Sequence, residues 1–341
     1  MRKCAKSDLN QVLAAVAAAQ TLYLPVDGDN GAEYKAWEEG VTYSEALNTT
    51  RSAKDFFFPQ TQDLVKFKTE GKTIDIIDIR KASEDFVVFG VRACDVKSIE
   101  VLDNVFLNEP VDSFYAERRA HATIVSMACT RPVETCFCGT FGIDAAAPEG
   151  DVVCHMTDDA VYFDAKTEKG EKFMALIEGL TVDCDTKAVE EQQAKTREIL
   201  KKLPLSDLTT EGFDPEKTME LFDRPEWATL SEACLGCGTC TFVCPTCQCY
   251  DIKDFNNGRE ITRFRCWDSC MYSDFTMMSA GQPRLTQKER FRQRFMHKLV
   301  YYPANNDGLC SCVGCGRCLA KCPISMNIAK VMKTIGGKQH E

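Results

Sequence analysis

The sequence predicts a chain of mixed α+β/α/β class in two parts, an N-terminal α/β domain over residues 1–225 and a mainly helical second domain over residues 226–341. Three observations carry that division. The chain of 341 residues holds 41 Lys+Arg and 51 Asp+Glu, of which 15 basic and 10 acidic residues lie from Glu226 onward, leaving 26 and 41 before it. Cysteine density changes at the same place, with 7 of the 20 cysteines before residue 226 and 13 after it. Between them, Asp223-Arg224-Pro225 supplies a helix stop, because proline lacks the amide that a helix interior requires.

In chain order, Ser7 or Asp8 is suited to cap a helix through the alanine-rich residues 12–19. Asp8, Asn10 and Gln11 interrupt the apolar stretch, so no signal peptide is expected. No apolar run approaches the roughly 20 residues needed to span a bilayer, and the expected setting is the cytoplasm. Residues 22–25 read as a strand. Residues 73–79 and 86–91 have the short, β-branched, nearly continuous apolar character of buried strands, and residues 122–127 form another. Between the last two, Asp95 is placed to cap a helix whose Val96, Ile99, Leu102 and Phe106 recur at three- and four-residue spacing. Strand, helix, strand predicts a βαβ crossover. Residues 186–203 suit a surface helix that Pro204 stops.

Twenty cysteines exceed what a core needs, and a disulfide scaffold would require an oxidising compartment that nothing else in the sequence suggests. Spacing gives a better account. Cys234, Cys237, Cys240 and Cys244 stand as C-x2-C-x2-C-x3-C before Pro245, and Cys312, Cys315, Cys318 and Cys322 repeat the pattern before Pro323. In the bacterial ferredoxin run three close cysteines hold one [4Fe-4S] cluster and the fourth crosses to its neighbour. The expected ligand sets are therefore Cys234, Cys237, Cys240 with Cys322, and Cys312, Cys315, Cys318 with Cys244, in a ferredoxin-like second domain holding two [4Fe-4S] clusters. Zinc usually takes two separated pairs of ligands, which this triplet pattern does not offer.

The insertion between the runs, residues 245–311, adds Cys247, Cys249, Cys266 and Cys270. These are either small buried residues or, with His297 downstream, a further metal site built from Cys247, Cys249, Cys270 and His297. The first domain poses the same choice. Cys94 follows one apolar strand and Cys129 another, and if those strands are parallel neighbours both lie on the sheet edge where α/β proteins place their sites. Cys136 and Cys138 are close enough to join them, so Cys94, Cys129, Cys136 and Cys138 either pack as thiols or hold a further cluster. Cys4, Cys154 and Cys184 stand apart.

Arg92-Ala93-Cys94-Asp95, Glu134-Thr135-Cys136-Phe137-Cys138, the run CLGCGTCTFVCPTCQCY from Cys234, Trp267-Asp268-Ser269-Cys270, and Arg290-Phe291-Arg292-Gln293-Arg294 before the second cysteine run occur in an informative order. From about residue 55 onward the chain resembles the iron-sulfur β subunit of cytosolic sulfhydrogenases and the A-type component of anaerobic sulfite reductase. The resemblance implies an electron-transfer subunit between an FAD- and NAD(P)-binding flavoprotein subunit and a hydrogenase-, heterodisulfide-reductase- or sulfite-reductase-type catalytic subunit. The eight ferredoxin-type cysteines are its implied ligands.

Absent motifs agree with a relay. There is no G-x-G-x-x-G after a strand, no G-x-x-x-x-G-K-[ST] and no G-x-S-x-G elbow, and His121, His155, His297 and His340 are the only histidines. Clusters move single electrons while nicotinamide accepts a hydride, so a flavin on another subunit is required between them. The basic stretch Arg284, Lys288, Arg290, Arg292, Arg294 and Lys298 suits an amphipathic helix, with Phe291 and Phe295 inward and arginines facing outward or balancing negative cluster cores. It also suits docking of an acidic carrier such as ferredoxin. Nucleic acid is not expected against so acidic a first domain, and an iron-sulfur sensor is the alternative from another functional class.

Overall fold

A computed structural model describes residues 1–336. Its strands are β1 (Arg2–Ala5), β2 (Thr21–Val26), β3 (Glu33–Ala36), β4 (Thr61–Glu70), β5 (Thr73–Ile77), β6 (Phe86–Val91), β7 (Ala122–Met127), β8 (Val152–Met156), β9 (Ala160–Ala165), β10 (Val182–Asp183), β11 (Tyr250–Asn256) and β12 (Glu260–Trp267). Eight of them form one sheet in the order β10-β1-β9-β8-β7-β6-β2-β3. Its centre, β2, β6, β7 and β8, is parallel, and β6 runs through helices Ala93–Phe106 and Ser113–His121 to β7, a crossover with one helix more than expected.

Alternation along β6 and β7 divides the core. Val87, Phe89, Val125 and Met127 face helices Leu9–Ala19 and Glu168–Leu176, whereas Val88, Val91, Ala122 and Ile124 face Ile99, Leu102, Phe106 and Tyr115. The parallel strands are buried on both sides, which is why they read as continuous apolar runs.

A second sheet, in the order β11-β12-β4-β5, crosses residue 225: β12 pairs antiparallel with β4 from the first part of the chain. Here one expectation fails. Residues 73–77 do form a strand, but an exposed one at the sheet's edge, with Ile74 and Ile76 63% and 72% accessible. A short apolar run does not reveal whether a second layer exists to cover it.

Asp95 also departs from its expected role. Arg92 occupies the N-cap position of helix Ala93–Phe106, and Asp95 sits inside the first turn. Its carboxylate accepts two hydrogen bonds from Arg317, at 2.6 and 2.7 Å, in an ion pair that is buried on both sides. A tertiary partner 222 positions away outcompetes local capping.

A further apolar core is built by Trp227, Phe291, Phe295, Met296 and helix Ile328–Ile335 together with Phe137, Phe213 and Leu221 from before residue 226. Helix Gln287–Met296 begins at a capping box of Thr286 and Glu289, and Phe291 and Phe295 point inward as expected. No helix among the described residues is long and apolar enough to cross a membrane.

Removing one partner of a buried pair strands the other charge. Asp95→Asn is therefore expected to cost about 3 kcal/mol, measured as a lower denaturant midpoint of the anaerobically purified chain. Lys201→Ala, at the exposed pair with Glu198, should leave the midpoint unchanged.

Candidate metal centres

Each ferredoxin-type run bends through left-handed glycines, Gly236 and Gly238 at φ 65° and 73° in the first, Gly314 and Gly316 at 59° and 76° in the second. Close packing demands glycine as well: a β-carbon on Gly238 would collide with the Tyr272 ring, and one on Gly314 or Gly316 with the backbone at Phe137 or Thr135. A single helical turn lies within each run and carries its third cysteine, Thr239–Phe242 with Cys240 and Arg317–Ala320 with Cys318. The two runs are thus built alike, and each turns its sulfurs toward the apolar core built around Phe291 and Phe295. Cys234, Cys240, Cys312, Cys318 and Cys322 all pack against that apolar cluster.

Cys244, Cys312, Cys315 and Cys318 line one small cavity. The cysteine that ends the first run therefore meets the three that open the second. In the other set, Cys240 has Cys234 and Cys237 as neighbours. The Gln287 side-chain amide donates to Cys234 Sγ at 3.5 Å, and the Met326 amide donates to Cys322 Sγ at 3.3 Å. Cys237 is the exposed member.

A further small cavity is lined by Cys94, Cys129, Cys136 and Cys138. All four cysteines are buried. Among the described residues no three His, Cys, Asp or Glu side chains converge on a single-ion position. A zinc site needs that convergence, at about 2.3 Å from metal to sulfur. Thiols arranged around a space suit a larger body in which each sulfur binds a different metal, which is how a cubane is held.

Of the remaining expected residues, Cys247 lies within hydrogen-bonding reach of Cys244, and Cys249 within reach of Cys270. The Cys270 thiol, the largest influence on Cys249, holds its pKa below the ordinary thiol value. His297 stands apart from them: its ring meets Tyr302 edge-on, and burial with Lys298 and Arg284 nearby lowers its pKa to about 4. The next residue, Lys298, faces the thiols instead. Cys266 lines an open pocket with Gly236, Tyr272 and Arg290.

The electrostatics of these cavities depend on cations that spacing arguments do not find. Lys54, Arg92, Arg294 and Lys298 are all at least nine-tenths buried. Lys298 Nζ donates to Cys244 Sγ at 3.3 Å, Thr246 Oγ1 at 2.8 Å and the Ser311 carbonyl at 2.9 Å. Arg294 donates to the Cys240 carbonyl at 3.4 Å, and its Nε has no partner among the described residues. Arg92 donates to the carbonyls of Leu47, Ala46 and Ala128. Lys54 donates to the Cys247 carbonyl and lies 3.5 Å over the Trp267 ring. Burial alone depresses the Lys298 ammonium, but Cys244, Cys247 and Cys312 outweigh it and hold its pKa above the ordinary lysine value. Cys240 and Cys318 do the same for Arg294. In the other direction, burial pushes the thiol of Cys315 up to about 12 and that of Cys129 to about 11. Charge separation across these cavities therefore becomes favourable when a metal takes the thiolates' protons away.

Residues 233–326 match the family model of a 4Fe-4S dicluster domain. Sulfhydrogenase 2 subunit beta of Pyrococcus furiosus is 33% identical over 288 residues, covering 82% of this chain and 81% of the relative. No solved structure matches the chain. On the motif order, the cysteine geometry and that identity, the chain belongs to the sulfhydrogenase β-subunit family of iron-sulfur electron-transfer proteins.

Proposed function

We propose that this chain relays single electrons between a separate FAD- and NAD(P)-binding flavoprotein subunit and a hydrogenase-type catalytic subunit of a cytoplasmic complex. The observation that carries this reading is the meeting of Cys244 with Cys312, Cys315 and Cys318 around one cavity, the crosswise exchange that paired ferredoxin-type clusters use. A bound [4Fe-4S] cluster supplies reversible one-electron chemistry. The protein's part is to hold it and set its potential. Cys234, Cys237, Cys240 and Cys322 are the ligands in one set, and Cys312, Cys315, Cys318 and Cys244 in the other. Phe137, Val313 and Ile328 keep water from the second set, while Arg294 and Lys298 hold positive charge against it. In this reading residues 226–341 carry the relay and residues 1–225 are the platform on which it is mounted, with the insertion 245–311 reaching back into the platform's second sheet.

The partner assignment draws support from the relative, which is by name one subunit of a sulfhydrogenase, and from the mismatch between hydride and single-electron chemistry. An anaerobic native pull-down with metal and flavin analysis tests it. A flavoprotein should copurify, and NAD(P)H should bleach the cluster absorbance only when that flavoprotein is present. A chain that copurifies with nucleic acid and no redox partner would overturn the relay.

The crossed ligation has its own test. Cys244→Ala and Cys318→Ala should each remove about 4 irons per chain, and the double variant again about 4, because both serve one cubane. Loss of about 8 irons in the double variant would place them in different clusters.

Removing the positive charge between the runs destabilises the reduced form. Arg294→Gln is expected to lower the midpoint potentials by on the order of 50–100 mV at an effective dielectric of about 20. Arg292→Gln, whose guanidinium lies on the Phe222 ring instead, should leave them in place in the same redox titration.

A further inference from the structure

We propose that Cys94, Cys129, Cys136 and Cys138 hold a third [4Fe-4S] cluster at the carboxyl edge of the parallel sheet. β6 and β7 are parallel neighbours, so Cys94, in the first turn after β6, and Cys129, two residues past β7, come to the same edge. The loop that follows is fixed from both ends. The Cys129 amide donates to the Ala145 carbonyl at 2.8 Å, and the Phe137 amide, between the other two cysteines, donates to the Gly314 carbonyl at 3.0 Å.

Three observations separate this site from a group of packed thiols. Buried cysteines acting as small apolar residues close the space between them, as close-packed interiors do; here Cys94, Cys129 and Cys138 touch within one buried cluster and yet, with Cys136, line a small cavity. The cavity carries no carboxylate or imidazole among the described residues; apolar side chains, Asn48, Gly314 and Cys315, a thiol of the neighbouring set, line the rest of it. Arg92 is buried beside Cys129 and Cys94 with only backbone carbonyls as acceptors. A buried guanidinium calls for a negative partner, and four metal-bound thiolates provide one.

The position also gives the site a use. Gly314 and Cys315 line this cavity and the one shared by Cys244, Cys312 and Cys318. One electron passes between the two clusters with no bond made or broken, so one centre is oxidised as its neighbour is reduced. The source of that electron rests on the proposed relay; the site itself does not.

The test is iron and acid-labile sulfide analysis, with EPR, of the full chain purified and reconstituted without oxygen. The wild type should hold about 12 irons and about 12 sulfides. Cys129→Ala, Cys138→Ala and their double variant should each hold about 8, and the EPR signal of one reduced cluster should disappear. Cys154→Ala, a buried thiol in the opposite core layer, should retain the wild-type content and controls for the loss of a core cysteine. A wild-type chain saturating at about 8 irons, unchanged in Cys129→Ala, would overturn the third cluster and leave the relay intact. Zinc bound at these four cysteines would overturn it too. A cluster lost in Cys129→Ala from a chain that no flavoprotein reduces would sink the relay and keep this site.

Discussion

Lys54, Arg92, Arg294 and Lys298 are buried beside cysteine residues, and among the described residues none of them meets a carboxylate in a salt bridge. An isolated buried charge costs several kcal/mol even after the surroundings relax, and proteins avoid it by pairing the charge or by binding metal. The groups lining these cavities that are able to become negative are thiols, and burial works against their ionising unaided. Metal coordination resolves both difficulties together. At the ferredoxin-type cavity it would make the sulfur anionic without a free thiolate and give Arg294 and Lys298 their partner. Arg317 is the exception that fits the rule, because Asp95 already neutralises it.

That constraint links the redox chemistry to the architecture. Arg294 and Lys298 lie at the end of one helix and in the turn of π-helix that follows it, residues His297–Tyr301. π-Helical turns often accompany functional sites, and this one carries Lys298 into the thiols while His297 stays beside Tyr302. The glycines of the second cysteine run let the loop 133–138 pack against the cavity wall. The platform and the ferredoxin-type part therefore meet at Gly314 and Cys315 through main-chain contact, which leaves little freedom in the separation of neighbouring sites.

The legible parts of the molecule are those whose determinants lie close together in sequence. The dicluster domain announces itself because its cysteines recur at short fixed intervals. β6, β7 and the first helix between them read correctly because burial on two faces leaves an unbroken apolar signature. The illegible parts depend on distant partners. Ile74 and Ile76 look like core residues until the sheet they join proves to be uncovered. Asp95 looks like a helix cap until Arg317 arrives. Lys298 faces the thiols while the neighbouring His297 meets Tyr302, a difference in side-chain direction that composition does not encode. Cys310, lining a pocket with Cys312 and buried enough to push its thiol up to about 11, belongs to no motif, so spacing gives no reason to single it out.

The sheet of β4, β5, β11 and β12 stitches residue 61 to residue 267, across nearly the whole interval from the first cysteine constellation to the second run. During synthesis its first hairpin must wait, unpaired on one side, until roughly two hundred further residues have been made. In the proposed ligand sets Cys234, Cys237 and Cys240 would likewise lack Cys322 until that residue leaves the ribosome, so a chain cut short midway would expose loose sulfur and a bare β-edge together.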